Sequence, residues 1–202
     1  MKKILIILCL IYSISNYSQI SIQLEKQINE YPWGELGVYY KDFNNVLEPF
    51  VGTYLYSNTA TNSSFQIILQ KKLHSDFGGF NQDMLIGAYK YIENGITKVD
   101  ALNDITINYP SNRSHVINGY MILTGTELGC YDCSEDEIRI HGMIKDPVSG
   151  SVDTLIIRKV IVSGQEALKI FILHSISYKP AGSAPAISIS YPLSEEITLL
   201  KI

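Results

Sequence analysis

The sequence predicts an all-β domain, a single antiparallel meander that closes into an up-and-down barrel. After residue 30, no segment combines a sustained helical stripe of apolar residues with capping residues. Instead, β-branched or alternating runs recur, and turns rich in Gly, Pro, Asn and Asp separate them. A meander of this kind must hide its edge strands, so we expect a closed barrel, with a β-sandwich as the alternative.

The first eighteen residues have the organisation of a secretory signal peptide. Lys2 and Lys3 precede an apolar run over residues 4–14, and small or polar residues follow. We expect cleavage close to Gln19 and export to the periplasm, the cell surface or the medium. The apolar run is shorter than the roughly 20 residues that a membrane-spanning helix needs, and no later run is long enough either.

The remaining chain is predicted as a lead-in over residues 19–49 and one barrel-like domain over residues 50–202. A weak helical turn is expected within residues 23–29. The formal charge of −4 becomes −6 when Lys2 and Lys3 are lost with the leader. An acidic surface repels phosphate backbones, which makes nucleic acid an unsuitable partner.

The first predicted strands cover residues 50–57 and 64–70, and the second of these alternates clearly. Its apolar side chains Phe65, Ile67 and Leu69 share one face, while polar side chains occupy the other. Residues 75–82 are predicted as a loop. Strands at 84–92 and 96–102 flank Asn94-Gly95, a hairpin signal because both residues tolerate positive φ.

The second half of the chain repeats this pattern. The run 116–123 contains Asn118-Gly119, which is either a tight turn or a β-bulge. Residues 137–145 alternate, with Ile138, Ile140 and Ile144 predicted inward and Glu137, Arg139, His141 and Lys145 outward. The last predicted strands cover residues 152–162, 167–175, 187–191 and 197–202.

Residues 50–56, Phe-Val-Gly-Thr-Tyr-Leu-Tyr, resemble the first strand of lipocalin-type barrels. Those barrels often carry Gly-x-Trp at this point, and Tyr54 stands here at the tryptophan position. The resemblance implies a lipocalin-like barrel.

A longer pattern resembles an uncharacterised family of small exported proteins from Bacteroidota. It comprises Tyr39-Tyr40-Lys41-Asp42, residues 50–54 and residues 83–91. The similarity extends from about residue 31 to residue 201. It implies a signal peptide followed by one all-β domain of unknown function, and it implies no activity.

Two cysteines remain after loss of the leader, and Cys130 and Cys133 are predicted to form a local disulfide in an oxidising compartment. Redox activity is the weaker alternative, because no helix follows and the acidic residues 135–137 raise a thiol pKa. Zinc would require two further ligands. The acidic turn at residues 132–137 is an irregular candidate for Ca²⁺, although a solvated turn is the simpler interpretation.

Catalytic motifs are missing from the sequence. His74, His115, His141 and His174 are isolated, and neither a Gly-x-Ser-x-Gly elbow nor a phosphate-binding glycine loop occurs. We therefore expect a non-enzymatic protein with no cofactor and no resident metal, and the sequence identifies no protein partner.

The tyrosines carry the functional prediction. Tyr54 and Tyr56 share one strand face, as do Tyr89 and Tyr91. Such pairs could line a cavity for an amphipathic ligand, or they could be cross-strand pairs on a sheet surface, which is the commoner use. The leading hypothesis is an exported carrier of a small amphipathic or apolar ligand. The alternatives are an envelope structural or interaction protein with a filled core, and a hydrolase.

Overall fold

The computed structural model describes residues 19–26, 34–173, 190–192 and 196–202. The predicted signal peptide, His174 and most of the predicted strand at 187–191 lie outside these residues. The described part contains eleven strands: β1 Ile20–Gln23, β2 Val38–Lys41, β3 Gly52–Asn58, β4 Ser63–Asp76, β5 Asn81–Glu93, β6 Ile96–Asp100, β7 Ile117–Thr124, β8 Ile138–Lys145, β9 Val152–Val162, β10 Gln165–Leu173 and β11 Ile197–Lys201.

Short 3₁₀ helices accompany the strands, at Leu24–Lys26, Glu48–Phe50, Leu102–Thr106, Asn112–Ser114 and Glu127–Gly129. The predicted helical turn after residue 23 is represented by the first of these. Within the described residues, no helix has the length and apolar character needed to cross a bilayer.

Eight strands close into an antiparallel barrel. Their order is β5-β4-β3-β11-β10-β9-β8-β7, and β7 pairs back onto β5, with Leu85 opposite Gly119. Chain neighbours are sheet neighbours almost throughout, as in an up-and-down barrel, and β6 is a short hairpin strand attached to β5. The predicted barrel is confirmed, and the sandwich alternative is wrong.

Side chains fill the barrel interior in cross-strand rows. Tyr56, Phe65 and Tyr91 stand opposite one another in one row, and Tyr54, Ile67 and Tyr89 form the next. The far wall contributes aliphatic side chains that are likewise buried, namely Ile140, Ile144, Leu155, Ile157, Leu168, Ile170 and Leu199. An eight-stranded barrel is just wide enough for its side chains to fill, which explains this core.

The Asn94-Gly95 hairpin is confirmed, with φ of 52° and 76° at the two turn residues. The Asn118-Gly119 ambiguity resolves as a bulge, because β7 is continuous and its register against β8 shifts between Gly119 and Met121. Position 119 needs glycine for space, since an added Cβ would lie 2.5 Å from Ile140 Cγ2.

The loop predicted at residues 75–82 is shorter than expected, because β4 continues to Asp76 and β5 begins at Asn81, which leaves residues 77–80 as the loop. Ser75 and Asp76 pair with Gln82 and Asn81 after a register shift. His74 adopts a φ of 53° at this shift, which lets the strand kink and resume its pairing.

Arg139 departs from the predicted pattern. It lies on the outer face of β8 as expected, but only 3% of it is exposed. Its guanidinium donates to the carbonyl oxygens of Gly125 and Glu127, so the chain after β7 folds over it.

The lead-in segment is more structured than the sequence indicates. β1 and β2 pair in parallel, and β2 adds to the start of β5. The chain then places Leu47 and Phe50 in the core at one end of the barrel. We call the segment 34–51 the plug.

Candidate ligand site at one end of the barrel

The two ends of the barrel differ. At the plugged end, Leu47 and Phe50 join the hydrophobic core. The opposite end, which we call the cavity end, carries the β3–β4 turn at residues 59–62 and the Asn94-Gly95 turn. The strand alternation that fills the interior reaches this end at Tyr56 and Tyr91.

A cavity of about 560 Å³ lies at the cavity end. The described residues around it come from β3, β4, β5, β11 and the neighbouring segments: Tyr56, Asn58, Thr61, Ser63, Tyr91, Glu93, Asn94, Pro192, Glu196, Ile197 and Thr198. Its size falls within the usual range of small-molecule sites, about 300–1,000 Å³. The lining combines two aromatic rings, amides, hydroxyls and two carboxylates.

Tyr56 and Tyr91, two of the four tyrosines predicted as ligand-facing, line this cavity. Each stands opposite Phe65 on β4, and the Phe65 ring meets Tyr91 edge-on with centroids 5.9 Å apart. Asn58 Nδ2 lies 3.5 Å from the Tyr56 hydroxyl. Both rings are half-buried, and each therefore offers a face and a hydroxyl to the cavity.

Glu93 places a negative charge beside the Tyr91 hydroxyl. The Tyr91 hydroxyl donates to Glu93 Oε1 at 3.1 Å, and Lys98 Nζ approaches Glu93 Oε2 at 3.3 Å. Burial first, and then the charge of Glu93, raise the pKa of Tyr91 to about 12. The phenol is therefore a neutral hydrogen-bond donor at any physiological pH.

Tyr54 and Tyr89 belong to the core rather than to the cavity. They are 1% and 0% exposed, and they lie one row deeper than Tyr56 and Tyr91. The Tyr89 hydroxyl donates to the Lys145 carbonyl oxygen at 3.0 Å. Burial raises the pKa of both phenols. Strand alternation identified the correct face for all four tyrosines, but it carries no information on depth along the barrel axis.

The buried Tyr191 precedes one of the residues that line the cavity. Tyr191 packs edge-on against Tyr89, with ring centroids 6.1 Å apart, and its hydroxyl donates to Asp153 Oδ2. Pro192, the next residue, lines the cavity. Tyr191 lies in a bend and not in the strand predicted at residues 187–191.

Asn58, Glu93 and Glu196 were missed by the sequence analysis. A signal existed for the first two, because Asn58 and Glu93 each lie two positions beyond a cavity tyrosine and share its strand face. Glu196 had no such signal, since it precedes β11 and reaches the cavity through tertiary structure.

Cys130 and Cys133 form the predicted disulfide, with their Cα atoms 5.5 Å apart. Together with Asp132, these cysteines form a compact group of metal-ligand types among the described residues, but the disulfide sulfurs are not thiolates. Asp132 and Glu137 both bind Arg158 rather than converging on a cation. The disulfide loop is thus held to the barrel by the ion pairs of Arg158.

The three described histidines are separate from the cavity. His74 contacts Gln19 and the Tyr39 ring. His115 is buried against Asp104, with Nδ1 3.0 Å from Oδ2. His141 lies on the outer face of β8 as predicted, and burial lowers its pKa.

Comparison with known proteins supplies a family. A model of a "Family of unknown function (DUF6705)" matches residues 1–201. The chain belongs to this family. The predicted membership of an uncharacterised family is thus confirmed at that level. No curated protein matches the chain. No solved structure matches it.

Proposed function

We propose that this family member is a non-enzymatic binding protein that holds one small amphipathic ligand in the cavity end of its barrel. The observation that carries the proposal is the 560 Å³ cavity, whose lining includes the half-buried faces of Tyr56 and Tyr91. Apolar ring surface supplies contact area for the ligand, and the hydroxyls and Glu93 orient its polar group.

The filled core limits how far the ligand enters. Phe65 lies in the row of Tyr56 and Tyr91, Tyr54 and Tyr89 lie one row deeper, and all three are almost fully buried. The ligand accordingly rests on this aromatic layer at the barrel mouth and does not penetrate to the plugged end.

The composition of the lining supports binding over catalysis. Among the described residues around the cavity, none is a histidine, cysteine, lysine or arginine. The carboxylates that are present have cationic partners, Lys98 for Glu93 and Lys169 for Glu196. A neutral or cationic polar group on the ligand suits this lining, whereas a second anion would be repelled.

We further propose that the protein acts outside the cytoplasm, in the periplasm, at the surface or in the medium. The leader-like pattern of residues 1–18 supports this location. The Cys130–Cys133 disulfide agrees with an oxidising compartment.

Native mass spectrometry tests the binding proposal. The protein should be exported with its own leader, purified without detergent and measured before and after incubation with a lipid extract. We expect an adduct that denaturation releases. Tyr91→Leu should abolish the adduct, while Tyr131→Leu, at a tyrosine that is 96% exposed, should retain it.

A second candidate function, an interaction protein with a filled core, is favoured by the same buried aromatic layer. In that case the spectrum would show the bare mass of the chain before and after lipid incubation. An adduct that survives Tyr91→Leu would place the ligand elsewhere and would contradict the proposed site.

A further inference from the structure

A second cavity, of about 200 Å³, lies on the outer wall of the barrel beneath the disulfide loop. We call it the arginine pocket. Leu128, Cys130 and Asp132 border it on the loop side, and Arg139, Arg158 and Lys169 border it on the wall. It shares Glu196 with the cavity-end site, and its other lining residues differ from those of that site.

The three cations of the arginine pocket come from three neighbouring strands in register. Arg139 on β8 stands opposite Arg158 on β9, and Arg158 stands opposite Lys169 on β10. Side chains directly opposite across strands lie about 5 Å apart at Cβ, so three positive charges share one row. Such a row is unfavourable unless anions neutralise it.

Carboxylates of the chain supply this neutralisation. Asp132 Oδ2 accepts from Arg158 Nη1 at 2.9 Å, and Glu137 binds the other edge of the same guanidinium. Glu196 Oε1 lies 2.5 Å from Lys169 Nζ. The Asp132 and Glu196 side chains are 76% and 48% exposed, so these two ion pairs are surface pairs that contribute little to stability.

Arg139 differs from its two neighbours. It is almost fully buried, and one terminal nitrogen donates to the carbonyl oxygens of Gly125 and Glu127. Its Nε–H has no hydrogen-bond partner among the residues that the structure describes. A buried donor without an acceptor is costly and uncommon, which marks this position as one that an external acceptor would satisfy.

We propose that the arginine pocket binds a small oxyanion, the carboxylate or phosphate group of a ligand, between Arg139, Arg158 and Lys169. Asp132 and Glu196 occupy the pocket as exchangeable internal anions, and the incoming oxyanion displaces them. Glu137 stays on Arg158 and keeps that guanidinium in place. The disulfide holds Asp132 close to the pocket, so the loop acts as a tethered competitor.

Amide and arginine Nε–H NMR spectra of the ¹⁵N-labelled mature protein test this proposal. Sodium acetate and inorganic phosphate are the probes, titrated separately against sodium chloride at constant ionic strength. We expect the Nε–H signal of Arg139, assigned by its loss in Arg139→Lys, to move and saturate with at least one probe. The proposal is overturned if chloride moves the signal equally, or if neither acetate nor phosphate moves it.

Charge variants distinguish a binding site from general screening. Removing an internal competitor by Asp132→Asn should tighten binding roughly two- to fivefold, and Lys169→Gln should weaken it by a similar factor. Lys72→Gln, on β4 and away from the row, serves as the matched control and should change nothing. Weaker binding in Asp132→Asn, or equal weakening in Lys72→Gln, contradicts the assignment.

Discussion

The plugged end and the cavity end of the barrel are closed by different chemistry. At the plugged end, the buried carboxylate of Asp83 accepts hydrogen bonds from the Tyr39 hydroxyl and the His74 and Asp42 amides. Asp42 in turn accepts from the Val46 and Leu47 amides and from Lys71. Two aspartates therefore fix the plug against the barrel.

The cavity end has two half-buried phenols in its lining, and its own buried carboxylates, Asp146 and Asp153, hold the β8–β9 turn and Tyr191. Tyr56 and Tyr91 each make one polar contact at the longer end of the hydrogen-bond range. A buried carboxylate with three donors cannot give them up without a large desolvation cost, whereas a phenol exchanges one weak partner readily. This difference favours the cavity end as the ligand site, although an open cavity of about 670 Å³, bordered by Pro49, Phe50 and Ile138, lies at the plugged end.

A large loss of stability is expected when Asp83 is replaced. Asp83→Ala leaves three donors of the plug without their acceptor, so we expect the free energy of unfolding to fall by about 3 kcal/mol or more. Urea denaturation at pH 7 measures this loss. Asp83→Asn keeps one acceptor oxygen, so its stability should lie between those of the wild type and Asp83→Ala. A loss below about 1 kcal/mol for Asp83→Ala would contradict the role of Asp83.

The matched pair Phe50→Ala and Tyr56→Ala compares the ends directly. Phe50 is buried in the plug, so its truncation should cost about 3–5 kcal/mol, as for other buried aromatics. Tyr56 is half-buried beside an existing cavity and should cost clearly less. Equal losses in urea denaturation would mean that the cavity end is packed as tightly as the plugged end.

Acid titration measures the contribution of an ion-pair cluster at the plugged end, where Glu166 binds Lys159 and Lys201. These two lysines lower the pKa of Glu166 from 4.5 to about 2. Because the folded-state pKa is depressed, the ion pairs stabilise the fold above pH 4.5, and this contribution is lost as the pH falls towards 2.

Thermal melts across this pH window measure the effect. Glu166→Gln should flatten the dependence of Tm on pH between about 4.5 and 2, and Lys201→Gln should flatten it in part. If the Tm of both variants depends on pH as steeply as that of the wild type in this window, the cluster is not coupled to folding.

The smallest expected effect is at Tyr91. Tyr91→Phe removes the hydrogen bond to Glu93 but keeps the ring against Phe65, so we expect a loss of about 0.5–1.5 kcal/mol in urea denaturation. It should also remove one phenol that ionises near pH 12 in absorbance titration. A loss as large as that of Asp83→Ala would mean that the cavity end contributes as much to stability as the plugged end.

Local chemistry explains which parts of the fold could be predicted. The alternation around Phe65, Ile67 and Leu69 and the Asn94-Gly95 turn are each encoded within a few residues, and both are confirmed. The plug and β2 depend on Asp83, which lies about forty residues away from Asp42 in the chain. No periodicity within residues 34–51 carries that information.

The candidate site was predictable only in part, for a geometric reason. The period of two identifies the face of Tyr54 and Tyr56, but the position of the aromatic layer depends on where the barrel closes and how far the plug enters. The arginine pocket had no local signal, because its row of cations arises from the register of three strands.

The most direct test of the central claim is a crystal structure of the protein purified without detergent after export. We expect non-protein density in contact with the Tyr56 and Tyr91 rings, with Phe50 and Leu47 still packed in the core at the opposite end. A bound molecule at the plugged end, or protein side chains filling the space between Tyr56 and Tyr91, would contradict it.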